Sequence, residues 1–439
     1  MTNSFDENSR DFYADLEDNI LVVKGKLRIN PHVRRINQCL YRAYKANIGE
    51  VLFDFTNLDF EYSNLYPEHL VALAAMLDSY RSEGGMEIEP VFPSGDENHP
   101  HATQLGQCFN PVSTSKASEY SVDQVLNNVW KLEGDQSEIF YGHDEGGLWD
   151  KIQTALYSQV EFKSGWFYVL EWIVGEIIDN IQRHSFKNYG FFCVQRSVNK
   201  AVMMAIADNG TGIKNSFRYS SQYGFIRDDV TAITKAIEKG VTRDKSIGKG
   251  WGLYGTTQMA RLTENSWVRV DSGRGAVTVT NGETFKNDYY NPFVLRGEGG
   301  SLVSVVLPVA SVSIDPSEVT GTLNDSLFWE QFFNDDPFSQ TEVASINARE
   351  FPGYGSRYAG EIAFTRVVNV LNVFDSVEID FEGIPVIVAS FADELFGKLL
   401  LKLGSIEEFK KRVSVRHPED FVKAQISASL TGRVDDLTT

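Results

Sequence analysis

The segment WFYVLEWIVGEIIDNIQRHS, which begins at Trp166, constrains this chain more than any other. Phe167, Leu170, Val174, Ile177 and Ile181 recur at helical spacing, which predicts a helix with one face in a core. Glu176, Asn180 and His184 stand four residues apart on another face, with Arg183 beside them. A carboxylate and a carboxamide one turn apart can act together. The amide oxygen can ligate a hard cation such as Mg2+, while the carboxylate orients or deprotonates a nucleophile.

Three more motifs follow in order. AVMMAIADNGTGI is an apolar strand running into Asp208-Asn209-Gly210-Thr211-Gly212. A carboxylate at a strand end can accept a hydrogen bond from an adenine amino group, and the glycines let the backbone approach the base. SIGKGWGLYGTTQMARL carries Gly248, Gly250, Gly252 and Gly255 into a helix marked by Leu253, Met259 and Leu262. Backbone N–H groups of such a loop, at a helix N-terminus, form a phosphate cradle. GGSLVSVVLP then places Ser301 at the start of a closing strand. Each motif alone is a common turn, loop or solvated helix face; the ordered set is not.

Composition narrows the rest. The 439 residues allow two or three domains, and 42% hydrophobic with 23% charged residues describes an ordinary globular chain. No apolar run reaches the ~18 residues of a membrane span, and MTNSFDENSRDFY lacks a secretory pattern. Cys39, Cys108 and Cys193 are scattered, suiting a reducing compartment and giving no disulfide framework. A cytoplasmic protein is expected. The net charge of −19, with only short basic clusters such as Lys410, Lys411 and Arg412, argues against nucleic acid as a partner.

Together the motifs resemble the GHKL superfamily, the ATP-binding domains of gyrase, Hsp90, histidine kinases and MutL, from about Trp166 to Pro308. EIIDNIQRH matches its N-box, DNGTGI its first glycine box, GKGWGLYG its second and GGSLVSVVLP its last core strand. The resemblance implies ATP and Mg2+ as cofactors and an α/β fold, a two-layer sandwich whose mixed sheet carries helices on one face. It implies Glu176 as general base and Asn180 as the Mg2+ ligand. Asp208 would recognise adenine with Gly210, Gly212 and Ser301, and Gly248, Lys249, Gly250 and Gly252 would hold the phosphates. Residues 214–247 would be a mobile lid. No GxxxxGK[ST], HRD or DFG signature points to another nucleotide fold.

Two small α/β units flank this core. The expected division is 1–97 for the first, 98–147 for a connector with one helix near Val122–Leu132, 148–310 for the ATP-binding domain, 311–345 for a linker and 346–439 for the second unit. The C-terminal unit resembles STAS-like domains in SVEIDFEGI and SFADELFG, and the N-terminal unit resembles them more faintly. VLFDFTNLDFEYSNLYPEHL and VEIDFEGIPVIVASFADELF share a strand ending in Asp-Phe, an apolar segment, a serine (Ser63 or Ser390) and a helix, the pattern of an internal repeat. STAS-like proteins that partner GHKL serine kinases carry a phosphorylated serine at that place. Ser390 reads first as an N-cap, with Asp393 and Glu394 in the first turn, and the Asp-Ser-Ser/Thr-Gly of those proteins is absent.

The leading expectation is an ATP-hydrolysing or ATP-gated switch that signals through its STAS-like flanks to protein partners, STAS-domain or sigma-factor-like regulators among them. A homodimer is compatible with this, and a membrane is not called for. A serine kinase of the anti-sigma type and a non-catalytic ATP- or ADP-binding regulator are the alternatives. A sensor histidine kinase fits poorly, because His143 lies outside any hydrophobic heptad context.

Overall fold

The computed structural model describes residues 12–27, 30–61, 63, 65–93, 99–133, 147–185, 187, 189–242, 252–289, 293–294, 299–320, 343–371 and 374–438. Its first unit is a four-stranded sheet in sequence order, β1 (Phe12–Glu17), β2 (Ile20–Gly25), β3 (Glu50–Leu58) and β4 (Glu87–Val91). The first pair is antiparallel and the others are parallel, joined across by α1 (Asn30–Lys45) and α2 (Pro67–Ser82). Pro67 opens α2 as expected, since its missing N–H costs nothing there. β1 has no expected counterpart in the sequence, because Asp15 and Glu17 interrupt its short apolar stretch.

The segment PEHLVALAAMLDSY is apolar around almost the whole circumference of α2, and a helix of that kind must be covered on all sides. One side faces its own sheet. The other lies on the central sheet, where Phe191, Cys193, Ala205, Ala207 and Leu302 join the core of the N-terminal unit.

That central sheet has eight strands in the order β11-β10-β9-β12-β8-β7-β6-β5. They are β5 (Val112–Ser113), β6 (Trp130–Glu133), β7 (Tyr189–Arg196), β8 (Val202–Asp208), β9 (Trp267–Ser272), β10 (Gly275–Thr280), β11 (Glu283–Asp288) and β12 (Ser301–Leu307). Only β5 and β6 pair in parallel, so the sheet is mixed and the α/β class holds. The central domain's own helices lie on one face of this sheet, and its second face is covered by α2 of the N-terminal unit. The stretch 98–147 does more than connect. It adds β5 and β6 to the sheet; the helix of this stretch lies at Pro100–Phe109, and near the expected place there is only a 3-10 turn, Val122–Gln124, ahead of β6.

On the first face lie α3 (Leu148–Gln159), α4 (Trp166–His184) and α5 (Gly252–Leu262), packed through Trp149, Trp166, Trp172 and Met259. Gly255 permits the close approach of α4 and α5, because a Cβ there would stand 2.1 Å from Trp172 Cη2. Between β8 and β9 run α6 (Gly212–Phe217) and α7 (Asp229–Ala236). Helix α8 (Pro316–Thr320) lies inside the expected linker.

The last unit is a parallel sheet, β13 (Val343–Asn347), β14 (Ser376–Asp380) and β15 (Val413–Arg416). Around it lie α9 (Arg357–Leu371), α10 (389–403, with a π-helical turn at Asp393–Gly397), α11 (Ile406–Arg412) and α12 (Asp420–Val434). The proposed repeat has a structural counterpart. β3 and β14 each run between parallel neighbours, and Asp54 and Asp380 make the same turn, accepting the N–H two residues on at 2.9 and 3.0 Å. Among the described residues no helix is long and apolar enough to cross a membrane.

Candidate nucleotide site

Strand β8 ends at Asp208, whose side chain is buried and accepts the Gly210 N–H at 2.8 Å. Its partner in register on β12 is Ser301, whose hydroxyl also bonds the carboxyl. Burial pushes the Asp208 carboxyl up to about 7, and those two donors hold it from rising further. Gly212, at φ +74°, turns the chain so closely under this end that a Cβ would meet Ser272 Oγ at 2.9 Å.

From Asp208 a cavity with a free volume of 140 Å³ runs toward α4, room for on the order of ten waters. Ile206, Ile213, Phe217 and Val303 supply apolar wall, and Glu176 and Asn180 face it from α4. Gly252 opens α5 at the same place, where a Cβ would stand 2.6 Å from Glu176 Oε2 and 3.3 Å from Asn180 Nδ2. Glu176 is buried, and its Oε1 has no hydrogen-bond partner. Desolvation and then the neighbouring Asp179 carry its carboxyl up to about 8, against Arg357 and the backbone N–H of Ser390.

Six of the expected site residues therefore meet in one cavity: Glu176, Asn180, Asp208, Gly212, Gly252 and Ser301. Gly210 does not line it. A Cβ at Gly210 would stand 2.1 Å from Ser185 O, so this glycine is needed for the turn beneath the site. Gly248, Lys249 and Gly250 lie outside the described residues, as do the side chains of Arg183 and His184. The part of the expected lid that is described, α6 and α7, has a small core of its own in Phe217, Tyr223, Ile226, Ala232 and Val241. Ala236, Val241 and Thr242 from this region line the cavity.

The far wall comes from the C-terminal unit, through tertiary packing that leaves no period in the sequence. Arg357, Ser390, Asp393, Gln425 and Ser429 line the same cavity. Ser390 is the second residue of α10, whose N-cap is Val388, so the capping role expected of it is incorrect. Its hydroxyl is buried and has no partner. Asp393 and Glu394 are balanced by cations: Arg433 Nη2 and Arg357 Nη2 lie 2.8 and 3.5 Å from Asp393 Oδ2, and Arg357 and Lys398 both pair with Glu394. Ser63, the analogous serine, sits differently. Its hydroxyl donates to Asp59 O at 2.6 Å and accepts from Leu27 N–H at 3.1 Å.

Comparison with known proteins bears on the C-terminal unit first. Residues 359–423 match the family described as a STAS-like domain of unknown function (DUF4325). A solved structure, the 43K ATPase domain of Thermus thermophilus gyrase B in complex with an aminocoumarin, is similar over 35% of this chain and 38% of that one. Identity there is 17% and the TM-score 0.20, a level at which the likeness bears on neither site nor chemistry. No curated protein matches the chain in sequence.

Proposed function

We propose that this chain is an ATP-binding, ATP-hydrolysing switch that passes its nucleotide state to protein partners through its flanking units. One observation carries the reading: a single cavity joins a buried strand-end carboxylate, Asp208, to the Glu176–Asn180 pair and the first turn of α5. Asp208 offers an acceptor to the adenine amino group, and Gly212 lines the cavity beside it. At the other end, the N-terminus of α5 favours negative charge.

Glu176 is suited to take a proton from water. Its carboxyl is buried, carries an unpartnered oxygen, and titrates at about 8, close to the pH at which a base must work. The Asn180 carboxamide lines the same cavity, and its oxygen is a hard donor that would hold Mg2+. Bound there, Mg2+ would neutralise phosphate charge.

A second reading has one observation in its favour. The Ser390 hydroxyl is buried, unpartnered and on the same cavity as Glu176, so the phosphoryl group could be handed to Ser390 in place of water. Incubation with γ-labelled ATP and Mg2+, resolving free phosphate from phosphoprotein, tests both. Free phosphate supports the switch, label on Ser390 supports the kinase, and absence of both with ATP bound leaves a non-catalytic regulator.

A further inference from the structure

Helix α12 turns Gln425, Ala428 and Ser429 toward the cavity, one helical face at spacings of three and four. Gln425 is 1% exposed, and neither Oε1 nor Nε2 has a hydrogen-bond partner. A buried carboxamide with both ends unsatisfied is costly, and a folded chain retains such a group where something else completes it. The Ser390 hydroxyl and Glu176 Oε1 are unsatisfied on the same cavity. Four orphaned polar atoms thus belong to cavity-lining residues on three helices of two units.

Their position identifies what they face. α12 packs against the first turn of α10, and that turn packs against α4 at Glu176. Gly252, where α5 begins, crowds the same carboxylate. Gln425 therefore belongs to the Glu176 end of the cavity, at the opposite end from Asp208.

We propose that the C-terminal unit is part of the nucleotide site, and that Gln425 reads the terminal phosphate by donating Nε2–H to a phosphate oxygen. Ser390 adds a hydroxyl donor to the same group. The inference rests on the ATP reading above and adds a residue to it. ATP reaches Gln425 while ADP stops short, so the docking of the C-terminal unit becomes sensitive to the third phosphate. The interaction is a hydrogen bond with no covalent step.

The test uses the full chain and three variants, Gln425→Met, Gln425→Glu and Ser390→Ala, with affinities for Mg-ATP and Mg-ADP measured by calorimetry. Gln425→Met keeps the side-chain length and removes both orphaned atoms. It should weaken ATP about fivefold, the loss of one hydrogen bond, and leave ADP within about twofold. The thermal midpoint without nucleotide should hold or rise, because two unpaired buried groups are gone. A merely structural glutamine would do the reverse, lowering the midpoint and both affinities together, and that result overturns the proposal. Gln425→Glu sets a carboxylate against the phosphate and should weaken ATP more than Gln425→Met does. Ser390→Ala should lose less, again for ATP only. Equal ATP affinity in wild type and all three variants also overturns the proposal. A wild-type chain that binds neither nucleotide defeats the ATP reading itself, and this inference with it. Nucleotide binding that is abolished by Asp208→Asn yet indifferent to Gln425 defeats the inference alone.

Discussion

Ser390, in the C-terminal unit, and Glu176, in the central domain, line the same cavity, and the Ser390 backbone N–H lowers the Glu176 carboxyl against its burial. This relationship ties the proposed base to a unit that comes much later in the chain. Arg357 acts on the same carboxylate from α9, while Asp179 and Asp393 oppose it. Any movement of the C-terminal unit therefore changes the electrostatics of Glu176 directly.

Glu176→Gln should keep nucleotide affinity within about threefold and lower phosphate release by at least ~100-fold, because a base acts in the transition state and not in ground-state binding. Phosphate release measured against calorimetric affinity separates the two effects. Turnover at the wild-type rate would remove Glu176 from the chemistry.

Asp208→Asn should weaken ATP by roughly tenfold or more and erode its preference over GTP, since an amide donor would face the adenine amino group. Thermal stabilisation by each nucleotide is the readout. Equal stabilisation of the wild-type chain by ATP and GTP would refute the adenine assignment.

Local features were readable and distant ones were not. Glu176 and Asn180 share a helix face, and Asp208 and Ser301 end and begin strands, so local pattern offered them as candidates, while their roles came from the resemblance of the ordered motifs. Arg357 and Gln425 reach the cavity only through tertiary packing, which leaves no period in the sequence. The same holds for β5 and β6. Two and four residues are too short to signal strands, and the eight-stranded sheet is what makes them so. Helix α2 could have been read further: an apolar surface on every side required a second layer, and that layer is the central sheet. Ser390 misled because a serine near a helix start suggests a cap, whereas the chain turns two residues earlier, at Val388.

Arg34 joins the N-terminal unit to β9. Its Nη2 lies 2.8 Å from Asp271 Oδ1, with both side chains buried, and its guanidinium stacks 4.2 Å over the Tyr289 ring. Burial alone would raise the Asp271 carboxyl, yet Arg269 and Arg34 hold it below the usual carboxylate range. Arg34→Ala should cost about 2–4 kcal/mol in denaturant unfolding, softened because Arg269 Nε remains 2.6 Å from Asp271 Oδ2. Arg34→Lys should recover only part, lacking the planar fork. A cost under about 0.5 kcal/mol would mean the pair does not fasten the units.

Glu171 gives the clearest pH dependence. Its Oε2 accepts the Trp149 indole N–H at 2.6 Å and also pairs with Gln153, tying α3 to α4. Desolvation nevertheless carries the carboxyl from its ordinary 4.5 up to about 7. The native chain thus binds a proton that the unfolded chain has released between those values. The associated stability is fully present below about pH 4.5 and is lost as pH rises through about 7. Glu171→Gln removes the titration and keeps an acceptor oxygen for Trp149. Between pH 5 and 8 the wild-type Tm should therefore fall relative to the variant by a few degrees, on the order of 1–3 kcal/mol. Glu176, Asp179 and Asp208 titrate in the same direction in both chains, so the difference between them isolates Glu171. Parallel Tm curves across that range would show that Glu171 stays ionised in the fold.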